Sequence, residues 1–499
     1  MSATPTTGPG RDLPPRFEPR GIVVAGASTH PGKFGFVSLH NILASGYQGA
    51  LYALNRDGTP VLDVPTVTSF DEVPEGAVDL VFVCTPASAN PDLLRAAAAR
   101  GVRAAFIAAA GYGEGDGAGR HLQDELVALC DELGMVAAGP NGQGVVSPPV
   151  GMCAQIVGPD PPAGHIAVAS QSGNLVSSFL NYATQTEVGI SRAVSAGNAA
   201  MLGVGDYLEW FSTDAETAVG LAYVEGVEDG RRLAGQLRRA TAHKPMVLLK
   251  GGVSADGQTA AASHTGSLAT DDAVFEGMCR QVGVSRAADV EEAFDIAATF
   301  ATQPLPRGNR VVVLTTAGGW GVMTADAIAS SSLELATLPA DLYESIDALL
   351  PPRWSRNNPV DLAGGETRDT VPQIMELVAA HPETDAVIFL GLGIQSNQAR
   401  LMRNGPFFPD HGLDRIVDYH ERQDRRFAAA AAEASERTRT PILCATELAV
   451  ADPSNAGPDA VRSTGRLCYP SSHRAVRALD HLWRYARYRE QHGLGSLQG

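Results

Sequence analysis

Of the 12 histidines in this 499-residue chain, His264 has the surroundings that group transfer needs. It lies in the run AASHTGSLA (residues 261–269), a polar loop expected just past an apolar strand over 245–252. Small neighbours keep an imidazole accessible, and a neutral imidazole can attack a phosphoryl group. Glu225, in YVEG, ends the preceding expected strand and can orient such a ring and fix its tautomer. A phosphorylated product carries charge that needs donors close by. In ASQSGN (169–174) an apolar strand stops at Ser170, and a helix opens around Ser172, Gly173 and Asn174. The N–H groups at that helix start can seat a phosphoryl group, although an ordinary serine N-cap has the same local pattern. TTAGGWG (315–321) repeats the device with Gly318 and Gly319. Two such ends can face a single anion.

Other motifs fail on their spacing. GASTHPGKF (26–34) resembles a P-loop, but its glycines lie one residue too far apart and Phe34 stands where a metal-binding Ser or Thr belongs. It reads as the first strand-to-helix turn of a nucleotide-type fold. NAD is disfavoured, because no GxGxxG follows that strand and the second strand ends in Asn55-Arg56 without an acidic ribose partner. AVSAG (193–197) only imitates a nucleophile elbow, and Ser195 lacks a His and Asp in hydrolase order. The cysteines (Cys84, Cys130, Cys153, Cys279, Cys444, Cys468) form no CxxC, and no HExxH occurs. The thiols are expected to be reduced and mostly buried in a cytoplasmic protein, with no metal site.

Continuous apolar strands alternate with helices along the chain, which means parallel sheets with helices on both faces and ligands at the carboxyl ends of the strands. The expected organisation is α/β throughout. A disordered leader over 1–20 precedes a Rossmann-like domain over 21–147. After a Pro/Gly-rich linker over 147–163, a flavodoxin-like domain over 160–303 carries the His264 loop. A second flavodoxin-like domain over 308–491 ends in a helix over 472–491. The net charge of −17, from 38 basic against 55 acidic residues, disfavours nucleic acid as a partner. No apolar run reaches the ~20 residues of a membrane helix.

Taken together, the segments resemble the nucleoside-diphosphate-forming acyl-CoA synthetases, the superfamily of ADP-forming acetate–CoA ligase and succinyl-CoA synthetase. GAS…PGKFG, GPNGQGV, SQSGN, SAGN, DYLEW, YVEG, KGG…ASHTGSLA, AGGWGV and NPVDL occur in family order. The resemblance implies an α-type subunit that joins a small carboxylate to CoA through an acyl phosphate and a phosphohistidine. His264 matches the phosphohistidine and Glu225 its carboxylate partner. Ser172, Gly173, Asn174, Gly318 and Gly319 match the phosphate-stabilising helix ends. Gly26, Ser28, Lys33, Gly35, Pro86 and Asn141 fall on the ligand edge of the CoA-binding domain. ATP or ADP and Mg²⁺ are expected on a separate ATP-grasp β-type subunit, in a heteromer such as α2β2. A non-catalytic CoA-binding regulatory protein with the same fold is the alternative. Four places depart from the family pattern: Met201 or a neighbour replaces an Asp, Thr316 an Asn, Trp320 a small residue or Pro, and Arg56 follows Asn55 where Pro is usual.

Overall fold

The computed structural model describes residues 13–113, 117–158, 160–265, 271–362 and 369–495, with the backbone alone at 14–15, 117 and 261–265. Packing groups them into a first unit, up to residue 184 plus 189–282, and a second, 185–188 plus 283 onward. Among the described residues no helix is long and apolar enough to cross a membrane. None of the six cysteines forms a disulfide. Burial pushes the Cys84, Cys130, Cys153 and Cys444 thiols up to about 12.

The first unit opens with α1 (Pro14–Phe17), β1 (Gly21–Ala25), α2 (Phe34–Ala44), β2 (Ala50–Leu54), β3 (Thr66–Val67) and β4 (Leu80–Val83). It continues through α3 (Asn90–Ala99), β5 (Ala104–Ile107), α4 (Gly117–Glu132) and β6 (Val136–Ala138). These strands form a sheet in the order β3-β2-β1-β4-β5-β6, parallel throughout. That is the dinucleotide-fold order, whose direction reverses between β1 and β4 and opens a crevice at their carboxyl ends. β1, β4 and β5 are buried along their whole length, as a sheet covered on both faces requires.

A second sheet follows in the same unit. Its elements are β7 (Gly144–Ser147), β8 (Met152–Gln155), β9 (Ala163–Ser170), α5 (Gly173–Thr186), β10 (Ile190–Ser195), α6 (Val204–Phe211) and β11 (Val219–Val224). α7 (Gly230–His243), β12 (Met246–Lys250), α8 (Ala255–Thr265) and α9 (Asp272–Gln281) follow. β10, β9, β11 and β12 lie side by side in that order and run parallel. By order of appearance this is 2-1-3-4, flavodoxin-like, with its switch point between β9 and β11.

Two expectations are corrected here. The linker over 147–163 is partly sheet: β7 and β8 form a hairpin that extends β10 antiparallel, with Val145 opposite Val194. The leader over 1–20 is ordered over its described end. Phe17 is buried and stacks on Trp210 at 4.9 Å, while Arg20 pairs with Asp79 at 2.7 Å. A Pro-rich composition read as loose because its apolar contacts lie in distant segments.

In the second unit come β13 (Ser285–Ala287), α10 (Val290–Thr302), β14 (Arg310–Thr315), α11 (Gly318–Ala329), β15 (Glu334–Leu335) and α12 (Ala340–Asp347). Next are β16 (Val360–Asp361), α13 (Thr370–Ala380), β17 (Ala386–Leu390), α14 (Ile394–Arg403) and α15 (Leu413–Thr438). β18 (Ile442–Ala445), α16 (Leu448–Ala451), α17 (Ala456–Ser463), β19 (Cys468–Tyr469) and α18 (Ser472–Gln491) end the unit. The sheet order β15-β14-β17-β18-β19 is again 2-1-3-4-5, with the switch point between β14 and β17. β15 and β16 both lie against β14, at its two ends. The Asn358 amide of NPVDL bridges the gap between them, accepting from Val313 N at 3.0 Å and donating to Val311 O and Ala336 O at 2.8 Å. α10 was expected to close the preceding domain at 303. By packing it groups with the second unit, through Asp295 to Arg474 at 2.6 Å and Phe300 edge-on to Tyr485 at 5.4 Å.

Candidate functional site

The six residues expected to meet CoA all lie on the carboxyl edge of the first sheet. Gly26 follows β1 with a φ of +81°, a conformation glycine adopts without strain. Gly35, at the start of α2, comes so close to that turn that a Cβ would lie 2.1 Å from the Gly26 carbonyl oxygen. Between them residues 29–34 are exposed. Ser28 Oγ accepts from His30 N at 3.1 Å, folding the turn on itself. Lys33 is the N-cap of α2, with an extended backbone and no side-chain cap bond. A cation is thus presented beside N–H groups that the helix cannot satisfy.

Pro86 follows β4 across the crevice. The ground under it is fixed by Thr85 Oγ1 donating to Asn90 Oδ1 at 2.7 Å and Asn90 Nδ2 donating to Tyr112 Oη at 2.6 Å. Asn141 lies further along the edge, after β6, with a φ of +60°. Its amide donates to Asn198 Oδ1 at 3.4 Å, and Asn198 N donates to Pro140 O at 2.9 Å. The GPNG and SAGN loops therefore interlock, joining the edges of the two sheets of the first unit. Met201, the departure after SAGN, is a core residue. It is packed among the apolar side chains of the first sheet, and its sulfur accepts from Ala137 N at 3.4 Å. Ser195 Oγ is fully buried, so a nucleophilic elbow is excluded by geometry as well as by spacing.

At the switch point of the second sheet, Ser170 Oγ donates to Ser172 O at 2.7 Å and accepts from Ser172 N at 3.1 Å, tightening the turn into α5. α5 begins at Gly173, so Ser172, Gly173 and Asn174 lie at the end whose N–H groups have no partner within the helix. Gln143, from GPNGQGV, covers that end. Its Nε2 donates to Asn174 Oδ1 at 3.0 Å and its Oε1 accepts from Ser177 Oγ at 3.2 Å. Glu225 stands one strand away, directly after β11 and half-buried. Gln171 connects the two: its Oε1 accepts from Glu225 N at 2.6 Å and Gly226 N at 3.2 Å, and its Nε2 donates to Gly226 O at 3.2 Å. Burial, then the Glu225 carboxylate, pushes the Tyr223 phenol up to about 12.

The KGG segment enters beside the same carboxylate. Gly251 N donates to Val224 O at 2.9 Å, and a Cβ on Gly251 would lie 2.3 Å from Tyr223 Oη. Buried Lys250 donates to Gly251 O and Gly252 O and lies 3.7 Å from Asp272 Oδ1. From there the chain passes into α8, which corrects the expected loop: His264 is the penultimate residue of that helix. The alanines of this segment win over its Ser, Thr and Gly, since each favours the helical backbone. The His264 side chain and the Gly266–Thr270 stretch lie outside the described residues.

The second unit repeats the turn in its own sheet. Thr315 Oγ1 donates to Ala317 O at 2.8 Å and accepts from Ala317 N at 2.9 Å, and α11 begins at Gly318 with Gly319 next. Thr315-Thr316-Ala317-Gly318 thus reproduces Ser170-Gln171-Ser172-Gly173, which the sequence showed only as a shared pattern. The side chains differ in reach. Thr316 Oγ1 makes a 3.4 Å contact to Gly391 O where Gln171 spans to two residues. Asp361, ending β16, comes so close that a Cβ on Gly318 would lie 2.5 Å from its Oδ2. Gln143, Gln171 and Asp361 were passed over in the sequence reading. Only the position of Gln171 inside SQSGN could have marked one of them.

A dinucleotide-type sheet followed by two flavodoxin-type sheets, each with a small-residue turn at its switch point, is the arrangement of a CoA-dependent ligase, as the family matches show. Residues 20–148 match the CoA binding domain family, 163–300 the succinyl-CoA ligase like flavodoxin domain, and 311–394 the ligase-CoA domain. The chain is 31% identical to subunit alpha of ADP-forming acetate–CoA ligase I of Pyrococcus furiosus, over 95% of this chain and 98% of that one. It is 35% identical to subunit alpha of isoenzyme II from the same organism, over 74% and 80%. The solved structure of the dinucleotide-forming acetyl-coenzyme A synthetase 1 of Ca. Korarchaeum cryptofilum, in complex with phosphate and ADP, superposes with a TM-score of 0.82 at 28% identity, over 96% of this chain and 98% of that chain. The chain belongs to the α-type subunits of the ADP-forming acyl-CoA ligases, and CoA is a substrate.

Proposed function

We propose that this subunit joins a small carboxylate to CoA with His264 as the phosphate carrier and a separate ATP-grasp subunit as the source of the phosphate. A neutral His264 nitrogen attacks the γ-phosphorus of ATP and ADP leaves. The phosphohistidine then passes the phosphoryl group to a carboxylate oxygen, which regenerates the ring and yields an acyl phosphate. The CoA thiolate attacks the acyl carbon and phosphate departs. All steps run in both directions. Glu225 orients the imidazole and balances the charge it acquires, while the α5 end (Ser172, Gly173, Asn174) and the α11 end (Gly318, Gly319) bind phosphoryl oxygens. Mg²⁺ and the nucleotide belong to the ATP-grasp subunit, in a cytoplasmic heteromer such as α2β2.

The observation that supports this most directly is the switch point of the second sheet. There the turn that opens α5 and the backbone of half-buried Glu225 are tied together by one amide, Gln171. Purified alone, the chain should bind CoA yet form no acyl-CoA from ATP. Adding the ATP-grasp subunit should restore synthesis, with a heteromer visible by light scattering. Carboxylate-dependent ADP release by the pure isolated chain would overturn the division of labour.

CoA binds, in this reading, with its phosphates against the turn from Ser28 to Gly35 and its chain along Gly26, Pro86 and Asn141. Lys33 supplies the point charge and the first N–H groups of α2 the geometry. Lys33→Glu should weaken CoA binding by about 1–3 kcal/mol, the scale of a lost charge-assisted contact. Calorimetry giving equal affinities would remove Lys33 from the site.

A further inference from the structure

We infer that Gln171 is a positioning residue for phosphoryl transfer, fixing the backbone of Glu225, from which the carboxylate extends, relative to the helix end that receives the phosphate. Gln171 lies between Ser170 and Ser172, in the turn that opens α5, yet its side chain is spent on the neighbouring strand. One oxygen takes two backbone protons, from Glu225 at 2.6 Å and Gly226 at 3.2 Å, and the nitrogen returns a proton to Gly226 O at 3.2 Å. Three bonds from one amide act as an added rung of the sheet just past the last β11 residue, Val224. Its own backbone completes the link, since Gln171 N donates to Tyr223 O at 3.3 Å. Glu225 therefore cannot shift along the sheet without shifting the α5 turn.

The repeated turn of the second unit shows what the fold alone requires. Thr316 occupies the equivalent position, and its N donates to Leu390 O at 3.4 Å as Gln171 N does to Tyr223 O. Its hydroxyl touches a single carbonyl, and Leu392 stands where the register places Glu225. The turn thus forms without a long amide, and the amide occurs in the copy whose neighbouring strand ends in a carboxylate residue.

This inference rests on Glu225 being the partner of His264, and the test separates the two. The full chain is phosphorylated with radiolabelled acetyl phosphate, which leaves acetate and an acid-labile, base-stable adduct. The rates of Gln171→Met, Glu225→Gln and the double variant are compared with wild type over pH. Gln171→Met removes all three side-chain bonds at similar volume. It should slow labelling 10- to 100-fold, the usual cost of losing an orienting partner, with CoA affinity unchanged. A carboxylate beside the ring raises its pKa, so loosening Glu225 should move the acid limb of the profile to lower pH, in the same direction as Glu225→Gln. The double variant should be no slower than Glu225→Gln alone, because a residue acting through another adds nothing once that one is gone. A normal rate and profile in Gln171→Met, or losses that multiply in the double variant, would overturn the role of Gln171 while leaving that of Glu225 intact. Full activity in Glu225→Gln would overturn both.

Discussion

His264→Ala is expected to abolish phosphoryl labelling from acetyl phosphate, and from ATP once the ATP-grasp subunit is present. The proposed chemistry passes every phosphoryl group through this one nitrogen, so no partial activity should survive its removal. The Ser170 hydroxyl offers no substitute. Ser170 is buried, and its hydroxyl is committed to the Ser172 carbonyl within its own turn. CoA binding should persist, since the residues assigned to it lie on the first sheet. A phosphate found by mass spectrometry on a serine of SQSGN would overturn the assignment. So would an adduct that survives acid, because phosphohistidine is acid-labile and phosphoserine is not.

The second large effect is on stability. Arg192 lies in the middle of β10 with its side chain 1% exposed. Its Nε donates to Asp214 Oδ2 at 3.2 Å and its Nη1 to Ser147 Oγ at 2.5 Å, and its Nη2 pairs with Glu18. One guanidinium therefore ties the end of the leader, the hairpin strand β7 and the segment after α6 to the second sheet. Arg192→Met keeps the volume and deletes the charge, leaving the Asp214 side chain, 9% exposed, with the Thr217 hydroxyl at 2.7 Å and the charge of Lys244. Breaking one side of a buried pair costs up to about 3–5 kcal/mol when the other charge is left alone, and Lys244, whose ammonium interacts with the Asp214 charge, keeps the cost here below that limit. The first unfolding transition should move to lower temperature and lower urea concentration. Identical melting curves for variant and wild type would show that the cluster does not hold the unit together.

Much of the fold was legible because its signals are local. Continuous apolar strands, the serine and glycine turns after β1, β9 and β14, and the long amphipathic helix at the end reflect propensities that act within a few residues. α18 spans Ser472–Gln491 as expected, capped by Ser471 accepting from Arg474 N at 3.3 Å. The candidate residues at strand ends were equally legible: in parallel sheets with crossover helices, chemistry collects at the carboxyl edge whatever the side chains.

What the sequence left open depends on partners far along the chain. Met201 read as a lost carboxylate, but the tertiary structure makes it a core side chain under the first sheet. Gln171 carried no mark of its role because its three bonds reach residues 54 and 55 positions away. Arg192 lies in a buried strand because Glu18, Ser147 and Asp214, all distant in the chain, surround it. The 147–163 segment has the composition of a linker, and β7 and β8 became strands because the open edge of β10 had unpaired backbone groups for β7 to satisfy. The residue types and their order pointed to the family and so to the chemistry proposed for the chain. Which side chains hold that chemistry in place was settled by the folded sheet, because a buried polar group takes whatever partner the packing brings within reach.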